Sequence, residues 1–153
     1  MLNKLRFIFI ALGIVLGGAL LTTSVRAQEG VKTSDDASSF KAFGGKAGLV
    51  NIMEDFMVNL LKDPRTKTFF ENVDQQHIKE QLVEQFCFIL NGPCEYKGAK
   101  MKPIHANIGI NRENFNALVE QLQFAMDKHN VPFRAQNKLL AVLAPMHRDI
   151  VTK

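Results

Sequence analysis

The chain contains no tryptophan, a single tyrosine and only two cysteines, Cys87 and Cys94. These scarcities close several routes to function. No Cys-x-x-Cys pair is present, which removes thioredoxin-like redox chemistry and cysteine zinc sites, and no Cys-x-x-Cys-His is present for c-type haem attachment. The histidines, His77, His105, His129 and His147, are far apart. With no His-x-x-x-His or Glu-x-x-His pair, a helix-borne zinc or di-iron site lacks its ligands. No glycine-rich strand-to-helix phosphate loop occurs, and no Ser or Cys nucleophile has an identifiable base. Alternating apolar runs of Val, Ile and Thr are also missing, which argues against sheet.

What is present first looks basic. The 153 residues carry 19 Lys or Arg against 15 Asp or Glu, a formal charge of +4. Three of those cations, Lys4, Arg6 and Arg26, fall in an N-terminal segment laid out like a secretory signal. Its basic start is followed by an uncharged stretch from Phe7 to Leu21 and by Val25-Arg26-Ala27, with small residues at the −3 and −1 positions. The apolar stretch is shorter than the roughly 20 residues a spanning helix needs. Cleavage after Ala27 is therefore expected, and with it an exported, periplasmic or extracytoplasmic protein. The alternative is an uncleaved anchor, in which case the chain would meet a membrane. Without the segment the charge falls to +1, and the remaining Lys and Arg form no run longer than two. Nucleic acid is thereby excluded as a partner. An exported chain permits a Cys87–Cys94 disulfide, although Cys87 alone also reads as a core residue.

Residues 28–39 are small, polar and charged and read as a flexible tether. Beyond them apolar residues recur at helical spacing: Leu49, Ile52, Met53, Phe56 and Leu60, stopped by Asp63-Pro64. A second stripe, Ile78, Leu82, Phe86, Ile89 and Leu90, is entered near Asp74 and ended by Asn91-Gly92-Pro93. A third follows the candidate cap Asn111 with Phe115, Leu118, Val119, Leu122 and Met126, and ends at Asn130-Val131-Pro132. The last carries Leu139, Leu140, Leu143 and Ile150, with Pro145 as a kink or break. The fold class is all-α, with one long ordered loop from Asn91 to Asn111. A loop of that length in a compact domain is usually functional. His105 stands on it. On spacing alone it is a loop histidine without a partner, yet a buried haem needs little more than one neutral imidazole and an apolar slot.

A resemblance changes that balance. Phe40-Lys41-Ala42-Phe43-Gly44-Gly45, Glu54-Asp55-Phe56, Asp63-Pro64-Arg65 and Phe69-Phe70 resemble the group 1 truncated haemoglobins. So do Leu90-Asn91-Gly92-Pro93, Tyr96-Lys97-Gly98, Met101-Lys102-Pro103-Ile104-His105, Gly109-Ile110, Phe115 and Ala144-Pro145. The motifs run in family order over residues 40–153. The resemblance implies a two-over-two helical sandwich around haem b, in which Gly44-Gly45 turns the chain between a vestigial first helix and the next. The family's glycine pair after the distal helix appears here as Asn91-Gly92, and Asn tolerates a left-handed φ.

The resemblance also assigns roles. His105 matches the proximal iron ligand, with Nε2 on iron and Nδ1–H held by a carbonyl or water. Phe70 matches the aromatic on the haem face, and Phe69 beside it reads equally as core. Tyr96 and Lys102 fall where the family places groups near the propionates, or are a loop anchor and a solvated lysine. Phe86 matches a position that gates a gas tunnel in some members, with plain core as the simpler role. The pocket over the iron is where the chain departs most. The tyrosine expected after Phe56 is Met57, and the facing helix offers Ile78, Gln81 and Leu82, of which only Gln81 can donate. O₂ gains more than CO from donors in a dry pocket, so weak O₂ retention is expected. Met57 as a thioether iron ligand is the alternative, with apolar wall the simpler role. His147, two residues beyond Pro145, has the spacing of a histidine that some members join covalently to a haem vinyl group. His77 and His129 read as surface residues at helix ends.

The implied function is an exported haem protein that reversibly binds O₂, NO or CO, for oxygen binding or transport. NO oxidation to nitrate is a side activity that would need an unidentified electron donor. Two alternatives remain at this point: a haem-based electron-transfer protein with six-coordinate iron, and an interaction module without cofactor.

Overall fold

The computed structural model describes Lys32 and residues 37–153. The segment read as an export signal, and the stretch read as a tether apart from Lys32 and residues 37–39, lie outside the described residues. Among those described there is no strand, and no helix is long and apolar enough to cross a membrane. The helices are α1 (Ser38–Ala42), α2 (Gly45–Lys62), α3 (Lys67–Phe70), α4 (Gln75–Ile89), α5 (Met101–His105), α6 (Arg112–Lys128), α7 (Phe133–Leu143), a 3₁₀ turn (Ala144–Met146) and α8 (His147–Ile150). Among the long helices α2 packs against α4, α6 crosses α2 and α7 meets α4, the two-over-two sandwich. Helix starts at Ser38, just inside the stretch read as tether, and Ser39 is buried.

Local chemistry sets the boundaries. Gly44 and Gly45, at φ 75° and 65°, supply the left-handed turn from α1 into α2. Pro64 disfavours helix at Asp63, whose ψ of 119° is extended, so α2 stops there. The Asp74 side chain accepts from the His77 backbone N–H at 3.0 Å and starts α4. α6 opens on a reciprocal cap: Asn114 N–H donates to the Asn111 side chain at 2.9 Å, and Asn111 N–H donates to that of Asn114 at 3.0 Å.

α4 and α6 end alike. Asn91 (φ 60°) and Asn130 (φ 54°) take the left-handed position. Gly92 N–H then reaches Cys87 O at 2.8 Å, and Val131 N–H reaches Met126 O at 3.0 Å, satisfying carbonyls the helix leaves open. Gly92 is also sterically required, since a Cβ there would stand 2.7 Å from Cys87 Sγ and from the Phe40 ring. The two cysteines are joined as a disulfide, which fastens the end of α4 to the segment leading to α5.

The apolar stripes meet in one core. Leu49, Ile52, Phe56 and Leu60 of α2 face Val83, Phe86 and Cys87 of α4, closed by Leu122 and Met126 of α6 and Leu139 of α7. Each such large side chain, fully buried, stabilises by roughly 1.5–3 kcal/mol. A polar joint locks α2 to α6 at the edge of this core. Arg65 holds Asp63 through Nη2 at 2.6 Å and reaches Glu120 at 2.7 Å, while Gln121 donates to Asp63 at 2.7 Å. Asn114 Nδ2 donates to Arg65 O at 2.9 Å. These contacts hold the Asp63 carboxyl down to about 2, chiefly through the Arg65 side chain and then its backbone N–H.

Two sequence expectations are refined. The segment from Asn91 to Asn111 contains the five-residue helix α5, whose Pro103 sits in the first turn, where its missing N–H costs nothing. The last stripe is three pieces rather than one kinked helix, because Pro145 tightens the chain into a 3₁₀ turn between α7 and α8.

Candidate functional site

α5 brings His105 out of the irregular segment at its C-terminal end. The imidazole is half-buried, and Nδ1 lies 2.7 Å from Met101 O. A carbonyl can only accept, so Nδ1 carries the proton and Nε2 keeps its lone pair. That is the tautomer an iron ligand requires, with its second nitrogen already held.

The proximal side is built from the C-terminus. α5 packs against α8. His147 of α8 sets its half-buried ring edge-on against Phe115 of α6, with centroids 5.3 Å apart. Backbone N–H groups of Thr152 and Lys153 donate to Ile110 O at 2.9 and 3.2 Å, tying the chain end beside α5.

On the other side stand α2, α3 and α4. Phe56 lies in the main core, whereas Met57, only 4% exposed, is buried outside that cluster. Ile78 and Leu82 are half-buried, one turn apart on α4. Gln81 borders a shallow groove of α2 and α4 that Lys46, Val50 and Met53 also line. At about 100° per residue it stands a quarter turn round from Leu82. Phe86 is 3% exposed and belongs to the core. Phe69 and Phe70 are half-buried at the end of α3, with Phe70 resting on the core and Phe70 O accepting from Gln75 Nε2 at 3.1 Å.

A macrocycle needs an apolar slot beside that imidazole. Phe70, Leu82, Leu118, Leu143 and Met146 each rest on the core yet keep part of their surface open. With the free Nε2 of His105, these residues suit a haem. His105 would hold the iron, and the group would supply a site for a small gas.

Four other residues take less central places. The Tyr96 ring covers Gly98, where a Cβ would collide with it, and its hydroxyl donates to Ala99 O at 3.4 Å. Burial raises the pKa of that phenol. Lys102 is exposed in α5. His129 departs from the expectation of a plain surface residue: it is half-buried, and Nε2 lies 2.7 Å from Asp55 Oδ2. Lys128 shares the same carboxylate at 2.6 Å and, with His129, holds the Asp55 pKa down. His77 is exposed on α4.

Sequence reasoning passed over Gln85. It is 7% exposed, in the middle of an otherwise apolar stripe. A polar residue breaking that stripe was the available signal.

Comparison with known proteins agrees with this arrangement. Residues 38–152 match the family model described as bacterial-like globin. The group 1 truncated haemoglobin GlbN of Mycolicibacterium paratuberculosis is 31% identical, over 79% of this chain and 89% of that relative. The group 1 truncated haemoglobin of Tetrahymena pyriformis is 26% identical, over 74% and 94% respectively. The crystal structure of the T. pyriformis truncated haemoglobin in its Fe(III) form superposes with a TM-score of 0.71 at 26% identity, covering 75% of this chain and 98% of that one. The chain therefore belongs to the bacterial-like globin family as a group 1 truncated haemoglobin, a haem-based gas-binding globin.

Proposed function

We propose that this chain is an exported haem b protein that binds O₂, NO or CO reversibly at an iron held by His105. The observation that carries the reading is the His105 Nδ1 bond to Met101 O, which leaves Nε2 basic, fixed in orientation and unspent. The partly open apolar side chains of Phe70, Leu82, Leu118, Leu143 and Met146 are the surfaces against which the macrocycle would rest. Above it Met57, Ile78 and Leu82 offer no donor where the family pattern expects a tyrosine. O₂ is accordingly held less tightly, relative to CO, than that pattern implies.

Reversible oxygen binding or transport is the primary activity. NO oxidation is secondary, because it depends on retained O₂ and on an electron donor outside this chain. Export rests on the N-terminal layout, Lys4 and Arg6 before Phe7–Leu21 and then Val25-Arg26-Ala27. A Cys87–Cys94 disulfide suits an oxidising compartment and supports the same reading.

The test is the absorption spectrum of the purified protein in ferric, ferrous and ferrous-CO states. A Soret band lost in His105→Ala, with CO binding readily, supports the proposal. A six-coordinate ferric spectrum without added ligand would instead favour electron transfer, with Met57 as the second axial group. A mature N-terminus at Met1 would refute cleavage.

A further inference from the structure

His105 is the last residue of α5, and α5 packs against α8, a helix of four residues. Two helices this short have little stability of their own, so the pair needs fixing from outside. On one side α8 hangs from the 3₁₀ turn Ala144–Met146. On the other, Val151 N–H donates to His147 O at 3.0 Å and closes α8. Val151, at ψ 121°, then turns the chain into extended backbone.

That backbone runs onto one carbonyl. Thr152 and Lys153 both donate N–H to Ile110 O, at 2.9 and 3.2 Å, which engages both of its lone pairs. The Lys153 side chain lies across Gly109, where a Cβ would stand 3.0 Å from Lys153 Cε and Nζ. Ile110 is itself anchored, because the next residue, Asn111, shares the reciprocal cap of α6 with Asn114. Asn114 in turn donates to Arg65 O at 2.9 Å. A continuous path of hydrogen bonds therefore ties residues 151–153 to the frame of α2 and α6. The same short stretch meets the histidine at its other end, where Ile108 N–H donates to His105 O at 3.3 Å.

We infer that Thr152 is a positioning residue for the proximal histidine. Its clasp on Ile110, shared with Lys153, sets where α8 and α5 stand against α6, and so how squarely His105 Nε2 meets the iron. This rests on the haem reading above. Groups that orient a metal ligand tune the metal bond without touching the metal. The Met101 carbonyl fixes the ring within α5, and the strap fixes α5 within the domain.

The experiment compares Thr152→Pro, which removes the N–H, with Thr152→Ala, which keeps it. Val151, at φ −77° and ψ 121°, already has the conformation a following proline requires, so α8 is left intact. In the ferrous protein without gas, resonance Raman should show the iron–imidazole stretch of Thr152→Pro broadened and at lower wavenumber. Haem transfer to excess apomyoglobin should quicken about fivefold, the effect of one lost hydrogen bond. Thr152→Ala should match the unaltered chain in both. The haem-free proteins should melt together, since the strap lies outside the core. An unchanged stretch or an unchanged rate of haem transfer in Thr152→Pro overturns the inference, and so does a Thr152→Ala variant that behaves like it. Failure of the haem reading is distinguishable, since the unaltered protein would then show no Soret band.

Discussion

His105 Nδ1 and Met101 O, 2.7 Å apart, are joined across one turn of a five-residue helix. A helix this short has little stability of its own. The side chain that would bind iron therefore also helps close the turn that presents it. His105→Ala should lose both functions. The expected outcome is protein without a Soret band but with its bulk helicity intact, because α2, α4, α6 and α7 form the core without α5. Circular dichroism beside the absorption spectrum checks this. Retention of a full Soret band would show that another residue carries the iron.

Met57 is buried at the position where the family pattern has a hydroxyl. Met57→Tyr should slow O₂ release by tenfold or more, the effect of one well-placed hydrogen bond of about 1.4 kcal/mol, and change CO release much less. Stopped-flow release of both gases is the measurement. Equal slowing of both would point to a closed channel and not to a new donor.

The carboxyl of Asp63 titrates at about 2 in the folded chain, below an unfolded value of roughly 3.9. A depressed folded pKa means that the unfolded state binds the proton more readily. The stabilisation is thus complete above pH of roughly 4, and is lost as pH falls from there through about 2. Asp63→Asn should lower stability at neutral pH and flatten its slope across that window. Thermal unfolding of both proteins from pH 7 down to about 2 would expose the difference, and parallel curves would remove Asp63 from the acid response.

The disulfide closes a short loop, Cys87 and Cys94 being seven positions apart in sequence. Chain entropy for so small a loop gives roughly 2.5 kcal/mol of stabilisation. Cys87→Ala with Cys94→Ala should lose about that much, plus the packing of a fully buried Cys87. Urea denaturation is the check. Stability unaffected by the double substitution would mean that the thiols are not paired in solution.

The four long helices were legible because each carries a one-sided apolar stripe and a recognisable stop: Asp63-Pro64, Asn91-Gly92-Pro93, Asn130-Val131-Pro132. Even the left-handed φ of Asn91 follows from residue type. α5 was not legible, since five residues with a proline among them show no period. The joint of Asp63, Arg65, Glu120 and Gln121 was hidden for another reason: it unites residues more than fifty positions apart, and no local pattern encodes such a pairing. Gln85 was visible only as a blemish in a stripe.

His147 has the sequence spacing of a covalent haem linkage, and its surroundings argue for a different use. Its ring is set edge-on to Phe115 at 5.3 Å, on the short helix that packs against α5. An edge-to-face ring pair of this kind contributes about 0.5–1.5 kcal/mol beyond burial, all of it forfeited if the imidazole turns away to bond a vinyl carbon. His147 is thus expected to brace the proximal side with the haem bound only through His105. Intact mass under denaturing conditions should match the polypeptide alone. His147→Phe should keep the Soret band and the melting temperature, whereas His147→Ala should lower the latter by several degrees. A polypeptide mass increased by one haem would establish the linkage instead, and His147→Phe would then release it.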